Sequence, residues 1–319
     1  MYDIIGDIHG HALELRNMLT TLGYTLDQEV YRHPTRQVIF VGDFVDRGPH
    51  IRETLEIVRG MIDNGAALAV MGNHEYNAIC FHEKHPQGGH LRPHIPRNIF
   101  QHTRTLEEFN SREGWEKWQD YIEWFKTLPL FLELPGLRVV HACWDPRHIQ
   151  YLREQLPDAR LTGAFLLLSS QRGTPEYRAV EETLKGKEVD LPVGTSFHDK
   201  DGNVRTKMRT RWWCDPHGCT YQDYYLEPIE ALNSQPVDYA ALTDSWHYQD
   251  DTPVFFGHYW LRGTPQLLGA HAVCLDYSVA KGGELVAYRW NGEQELTAAG
   301  LVSVSGHTDS STSIPLASE

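Results

Sequence analysis

Near its start the chain gathers apolar residues into short runs that each stop at a glycine. Tyr2–Ile5 runs into Gly6, residues 38–41 (Val-Ile-Phe-Val) into Gly42, and residues 67–71 into Gly72. Apolar runs of four or five residues read as buried strands, and the glycines as turns at their ends. Between them, Leu15, Met18, Leu19 and Leu22 recur at helical spacing before Gly23. Ile51, Leu55, Val58 and Ile62 do the same before Asn64-Gly65. A glycine just past a helical stretch is a common stop. The opening therefore predicts β-α-β-α-β, an α/β class. Such alternation implies parallel strands joined by right-handed crossovers, with ligands bound beyond the carboxyl ends of the strands.

Residues 107–125 are rich in Trp, Phe and Glu at roughly helical spacing and predict one helix, ending at Thr127-Leu128-Pro129. Residues 138–140, 254–256, 272–275 and 285–290 predict later strands. Residues 150–235 are less periodic and predict a cap over the sheet. Past Ala299 the chain turns to Ser, Thr and Gly, which predicts one main domain over 1–298 and a loosely ordered tail over 299–319. There is no internal repeat.

Composition narrows the class. With 29 Lys and Arg against 43 Asp and Glu, the 319 residues carry a formal charge of −14. That argues against stable nucleic-acid or membrane-surface binding, which needs a basic footprint. Any phosphate substrate must be gripped locally. No apolar run has the length of a membrane span and a strand pattern begins at once, which predicts no signal peptide and a cytoplasmic protein. Five scattered cysteines without a C-x-x-C pair predict free thiols, and Cys214 and Cys219 lack the second pair that a zinc site needs.

The chemistry sits at the strand ends. They read Gly6-Asp7-Ile8-His9-Gly10, Gly42-Asp43-Phe44-Val45-Asp46-Arg47-Gly48 and Gly72-Asn73-His74-Glu75. Strands ending side by side would gather Asp7, His9, Asp43, Asn73 and His74, and His141 and His258 end two later strands. Carboxylate oxygen and imidazole nitrogen suit manganese, iron and zinc, and two such ions roughly 3.5–4 Å apart clamp an in-line displacement at phosphorus.

The motifs GDxHG, GDxxDRG and GNHE, then a strand-end His, then GH, occur here in order. In this the chain resembles the calcineurin-like metallophosphoesterases, in their phosphoprotein phosphatase branch. Thr127-Leu128-Pro129-Leu130, Leu275-Asp276-Tyr277-Ser278 and residues 282–287 look most like bacterial symmetrical diadenosine tetraphosphatases and their serine/threonine phosphatase relatives. The resemblance implies an αββα sandwich with helices outside and a dinuclear centre at the carboxyl ends of the strands. It implies Asp7, His9 and Asp43 on one ion and Asp43, Asn73, His141 and His258 on the other. The two divalent or trivalent ions would be manganese first, iron or zinc otherwise. It further implies His74 as general acid paired with Asp46, Arg47 and Asn73 on the phosphate, and a water or hydroxide between the ions as nucleophile. Where the family has glycine after its fourth-motif histidine, this chain reads His141-Ala142-Cys143-Trp144-Asp145.

Within the basic run 205–211, strand alternation would put Arg205, Lys207, Arg209 and Arg211 on one face. Arg209 is the favoured phosphate contact and Arg211 the rival, with a solvated strand face as the plain alternative. His82, His85, His90, His94 and His102 have no fixed ligand spacing and predict a solvated or substrate-facing insert. Trp115, Trp118, Trp124 and Phe125 predict core packing rather than base stacking. The function expected is hydrolysis of phosphate esters or phosphoanhydrides, on a small phosphorylated compound, a nucleotide or a dinucleoside polyphosphate. A serine/threonine phosphatase acting on phosphoproteins is the first alternative, and a non-catalytic metal-binding module the second.

Overall fold

The computed structural model describes residues 1–198, 204–239, 242 and 246–306. Its first part follows the apolar pattern: β1 (Tyr2–Ile5), α1 (Ala12–Thr21), a hairpin of β2 (Thr25–Asp27) and β3 (Val30–Arg32), β4 (Gln37–Phe40), α2 (Ile51–Asp63) and β5 (Ala67–Ala69). β1 lies parallel to β4, and β4 to β5. The third motif opens α3 (Asn73–His82), which is followed by α4 (Pro96–Glu108) and α5 (Arg112–Phe125). The single helix expected over 107–125 is thus the end of one helix and the whole of another. The break falls where Ser111 caps α5 by accepting the Gly114 N–H, the usual role of serine at a helix start. Trp118, Trp124 and Phe125 are buried as expected, whereas Trp115 is 45% exposed.

β6 (Phe131–Leu134) and β7 (Leu137–Val140) form a hairpin. The expected cap begins with α6 (Pro146–Gln155), α7 (Gly163–Ser169) and α8 (Pro175–Lys185). It continues with β8 (Glu188–Asp190), β9 (Phe197–His198), β10 (Val204–Arg205), β11 (Lys207–Arg209) and α9 (Tyr221–Tyr224). β8 pairs with β11 and β9 with β10, both antiparallel. The chain closes with β12 (Val254–Phe256), β13 (Ala272–Cys274), β14 (Asp276–Tyr277), β15 (Glu284–Trp290) and β16 (Leu301–Ser305). The tail expected to be loose from 299 therefore starts with a strand that pairs along β15. Alternating Val302 and Val304 pack against the core there. Residues 307–319, the rest of that tail, lie outside the described residues.

Two sheets result. One runs β14-β15-β1-β4-β5 with β16 on β15, the other β13-β12-β7-β6. Strand alternation sorts their side chains into two apolar layers. Ile4, Ile39 and Val41 of the first sheet meet Val139, Phe255 and Val273 of the second. Ile5, Val38 and Phe40 join the α1 and α2 side chains, while Val140 and Phe256 join α6 and α8. The order is helices, sheet, sheet, helices, the αββα sandwich. Each fully buried Val, Leu, Ile or Phe in these layers contributes about 1.5–3 kcal/mol. No helix among the described residues is long and apolar enough to cross a membrane.

Candidate metal centre

The carboxyl ends of β1, β4 and β5 in one sheet and of β7 and β12 in the other meet at a single place. There Asp7, His9, Asp43, Asn73, His141 and His258 are all buried. Asp43 is central: its Oδ2 lies 3.5 Å from His9 Nε2 and 3.5 Å from His141 Nε2. Asn73 Oδ1 lies 3.0 Å from His141 Nε2 and 2.7 Å from His258 Nδ1. Asp7 Oδ2 accepts the His258 N–H at 3.0 Å. His9, Asp43 and His74 offer ligand-type atoms within 4.8 Å of one another, and so do Asp43, His141 and His258. Asp43 belongs to both groups.

Three buried atoms of this centre, Asp7 Oδ1, His9 Nε2 and His258 Nε2, have no hydrogen-bond partner. Buried polar atoms are normally satisfied, and leaving one bare costs about 1–3 kcal/mol. The histidine rings are oriented from behind: His9 Nδ1 faces the Val45 carbonyl at 3.0 Å and His141 Nδ1 that of Val41 at 2.8 Å. A ring donating its Nδ1–H in this way turns the lone pair of Nε2 inward, the usual posture of a metal-bound imidazole. The donor set therefore fits a pair of borderline metal ions.

The backbone is bent to make the centre. His9, Asp43, Asp46, Arg47, His258 and Trp260 have positive φ, between 47° and 73°, and they are six of the eleven non-glycine residues so placed among the described residues. Such strain concentrates where function over-determines the backbone. Two glycines are obligatory for space: a Cβ on Gly257 would stand 1.9 Å from Asp7 Oδ1, and one on Gly72 2.2 Å from Asp43 Oδ1.

Charge follows burial and neighbours. Burial takes the His9 imidazole down to about 3 and, with the Arg209 charge, holds His258 well below the usual range, so both rings are neutral. Burial, and the Asp276 carboxyl beside it, raise Asp7. Burial opposes the ionisation of both Asp43 and His141. Their mutual attraction outweighs it, holding Asp43 ionised and lifting His141 to about 10.

His74 stands beside this group. Its Nδ1 lies 2.5 Å from Asp46 Oδ2 and its Nε2 3.4 Å from Arg47 Nη2. Burial pushes the Asp46 carboxyl up, but His102 and His74 outweigh it and leave Asp46 far below the usual carboxylate range. The Arg47 guanidinium lies over the Trp260 ring, 4.2 Å from its centroid, and Lys281 Nζ lies 4.0 Å from the same centroid. That ring is 5.6 Å from the ring of His9. Asp276 secures the left-handed Trp260 by accepting its N–H at 2.7 Å.

The two arginine candidates part company. In β11, Lys207 and Arg209 face outward around buried Met208, and the Arg209 charge bears on both His258 and Tyr259. Arg211 lies past the strand and donates to the Asp223 carbonyl at 3.0 Å. Burial alternates along the run, with Met208, Thr210 and Trp212 buried between the more exposed Lys207, Arg209 and Arg211. The histidine insert is solvated only in part, with His94 exposed and His102 buried. His94 stacks on Phe81 at 3.9 Å, His82 accepts from Trp118 Nε1, and His102 is buried with its Nδ1 2.7 Å from Asp46 Oδ1. Its spacing lacked a ligand pattern because His102 binds a carboxylate 56 residues away rather than its neighbours. Glu75, Thr105, Trp260 and Lys281 also escaped the motif reading. Only Glu75 and Trp260 carried a signal, by lying in or two residues beyond a motif. A third group of ligand-type atoms, Asp145, His148 and Glu182, is already neutralised by Lys187 and Arg147.

Residues 2–221 match the family described as calcineurin-like phosphoesterase. A protein of Oceanobacillus iheyensis named bis(5'-nucleosyl)-tetraphosphatase PrpE, asymmetrical, is 30% identical over 46% of this chain and 57% of its own length. The Bacillus subtilis protein of that name is 31% identical over 44% and 57%. The chain thus spans little more than half of these relatives. They carry the word asymmetrical, where the motifs looked most like symmetrical enzymes. Among solved structures, a metallophosphoesterase from Sphaerobacter thermophilus aligns at 26% identity over 46% of this chain and 47% of its own, with a TM-score of 0.30.

Proposed function

The chain belongs to the calcineurin-like phosphoesterase family, and from that premise we propose that it hydrolyses phosphate ester or phosphoanhydride bonds with two metal ions. Its substrates on this reading are small phosphorylated compounds, dinucleoside polyphosphates foremost. The carrying observation is the trio of buried, partnerless atoms on Asp7, His9 and His258 around Asp43. Asp7, His9 and Asp43 would hold one ion, and Asp43, Asn73, His141 and His258 the other. Manganese is our first choice, iron or zinc the alternatives, since availability decides as much as ligands do. When bound, the ions supply Lewis acidity at phosphorus and acidify the attacking water.

The chain's own groups do the rest. Arg47, with Asn73, grips non-bridging oxygens through its planar fork of donors, and Arg209, whose charge reaches His258 from β11, would be a further phosphate contact. His74, steadied at Nδ1 by ionised Asp46, gives a proton from Nε2 to the leaving oxygen. Beyond Arg47 the half-exposed Trp260 ring and Lys281 continue the cationic line outward, which suits a substrate with more than one phosphate. The relatives named as tetraphosphatases support the same class. The five free thiols support the cytoplasm, and the charge of −14 supports no standing affinity for nucleic acid or membrane. We take the catalytic unit to run through β16.

The test is a comparison of second-order rate constants in manganese for an aryl phosphate, diadenosine tetraphosphate and a phosphoserine peptide. The polyphosphate should lead, and Asp43→Asn and His258→Ala should each abolish all three activities. Full activity in either variant would sink the metal-centre reading. Faster hydrolysis of the peptide would instead assign a protein phosphatase.

A further inference from the structure

His74 depends on Asp46, and Asp46 is held by more than His74. Asp46 Oδ2 takes His74 Nδ1 at 2.5 Å, while Oδ1 takes His102 Nδ1 at 2.7 Å and the Thr105 hydroxyl at 2.6 Å. Thr105 Oγ1 in turn accepts the Asp46 N–H at 3.1 Å. A carboxylate with a donor on only one oxygen can swing about its Cβ–Cγ bond. Here the second oxygen is pinned by two donors, and the plane of the group is fixed.

The helix that supplies those donors buries few side chains of its own. Of the thirteen residues of α4 only His102 and Thr105 are buried. Its apolar Ile99 and Phe100 are 41% and 80% exposed. One further turn along the same face, the Glu108 carboxylate accepts the Ile51 and Arg52 N–H groups, both at 2.8 Å, at the start of α2. Residues 102, 105 and 108 form one i, i+3 stripe, so α4 docks through three polar groups where an ordinary surface helix uses an apolar stripe. The His102 ring cannot turn away, because Phe81, His82 and Trp118 lie 5.3, 5.6 and 5.5 Å from it, centroid to centroid. The plain alternative, a histidine that merely satisfies a core aspartate, leaves unexplained why a helix should bury nothing else.

We propose that His102 is a positioning residue of the hydrolytic reaction, acting with Thr105 through Asp46 to aim His74 at the leaving oxygen. This rests on the reading of His74 as the proton donor. His102 reaches no substrate atom.

The experiment follows His102→Ala, His102→Asn and His102→Gln with 4-nitrophenyl phosphate, whose leaving oxygen needs little help, and phenyl phosphate, whose oxygen needs a proton. His102→Ala should lower kcat on phenyl phosphate by about 10- to 100-fold, the scale of one hydrogen bond to a charged group, with KM little changed. The loss on 4-nitrophenyl phosphate should be much smaller. Asn, which carries an amide nitrogen where Nδ1 stands, should restore most of the rate, and Gln should not. His74→Ala/His102→Ala should be no slower than His74→Ala, because residues acting as one unit are not additive. Equal losses on both substrates, or a double variant that loses the product of the two single effects, would overturn the proposal. Should His102→Ala fail to fold, the Asn and Gln variants make the same comparison, and equal rates in the two would overturn it. His74→Ala alone separates the two levels: if its own loss ignores the leaving group, the proton-donor reading is what fails.

Discussion

Glu75 has no exposed surface, and its two oxygens take three backbone N–H groups, those of Gly72 and Asp43 on Oε2 and of Phe44 on Oε1. One side chain therefore ties the start of α3 to the turn that carries Asp43. Burial and the Asp43 charge lift its carboxyl to about 7. Glu75→Gln offers one oxygen and an NH2 where three donors converge, so the turn should slip while the fold survives. We expect kcat/KM and manganese affinity to fall roughly 10- to 100-fold, the usual cost of losing a group that orients ligands, as read by kinetics and metal titration. At the outer end of the site, Lys281→Ala should raise KM for diadenosine tetraphosphate about tenfold, about 1.4 kcal/mol, and that for an aryl phosphate clearly less. Equal changes for the two substrates would remove Lys281 from substrate recognition. The candidate ligands that the fold gathers were legible because most of them follow an apolar run by one or two residues, His9 by four. Trp260 and His102 were not, since their partners are brought to them only by the folded chain.

Among the elements, those built on apolar period were readable and those built on polar contact were not. The hairpin of β2 and β3 turns at Gln28 and Glu29, with φ of 46° and 67°, a left-handed pair that usually advertises itself by Asn or Gly. α4 hid for the related reason that its buried face is His, Thr and Glu. The loop after β7, which departs from the family pattern, is anchored by a buried ion cluster. Lys187, 1% exposed, lies 2.9 Å from Glu182 and 3.5 Å from Asp145, which also caps α6. Above the loop, Trp212 Nε1 donates to the Ala142 carbonyl. Burial opposes ionisation of both carboxyls. The Arg147 hydrogen bond and Lys187 outweigh it at Asp145, and His148 and Lys187 at Glu182, so both are held below their ordinary values. A depressed carboxyl takes its proton later folded than unfolded, so its stabilisation is present above about pH 4.5 and is lost as the pH falls further. Lys187→Met should cost roughly 3–5 kcal/mol at pH 7, because it strands buried charge. It should also flatten the fall of the urea midpoint between about pH 4.5 and pH 3; an unchanged slope would deny the cluster that role.

Across the whole molecule, the parallel half of the first sheet could be read from alternation alone, and with it the side on which ligands gather. Its other half could not, because β15 joins β1 from nearly the far end of the chain, Tyr2 opposite Trp290. Nor does local pattern reveal the lock at the opposite end of the strands. There fully buried Asp3 takes Arg36, Arg289 and Tyr24 at 2.9, 3.0 and 3.1 Å. In the second sheet, with His141 and His258, β7, β12 and β13 were foreseen and β6 was not, and the face-to-face packing came only from the resemblance. That packing has a mechanical meaning. Asp7, His9, Asp43 and Asn73 follow strands of one sheet and His141 and His258 follow strands of the other, so ions held by both sets would act as rivets through the open end of the sandwich. Binding that favours only the folded chain adds about 2.7 kcal/mol at a hundredfold excess over Kd. The melting temperature should therefore climb with manganese and drop on chelation, by roughly 2–4 °C per kcal/mol, and Asp43→Asn should blunt the response. A melting curve indifferent to metal would mean that the seam closes unaided. With the rivets, starvation for metal would silence the enzyme and at the same stroke loosen it for the cell's proteases.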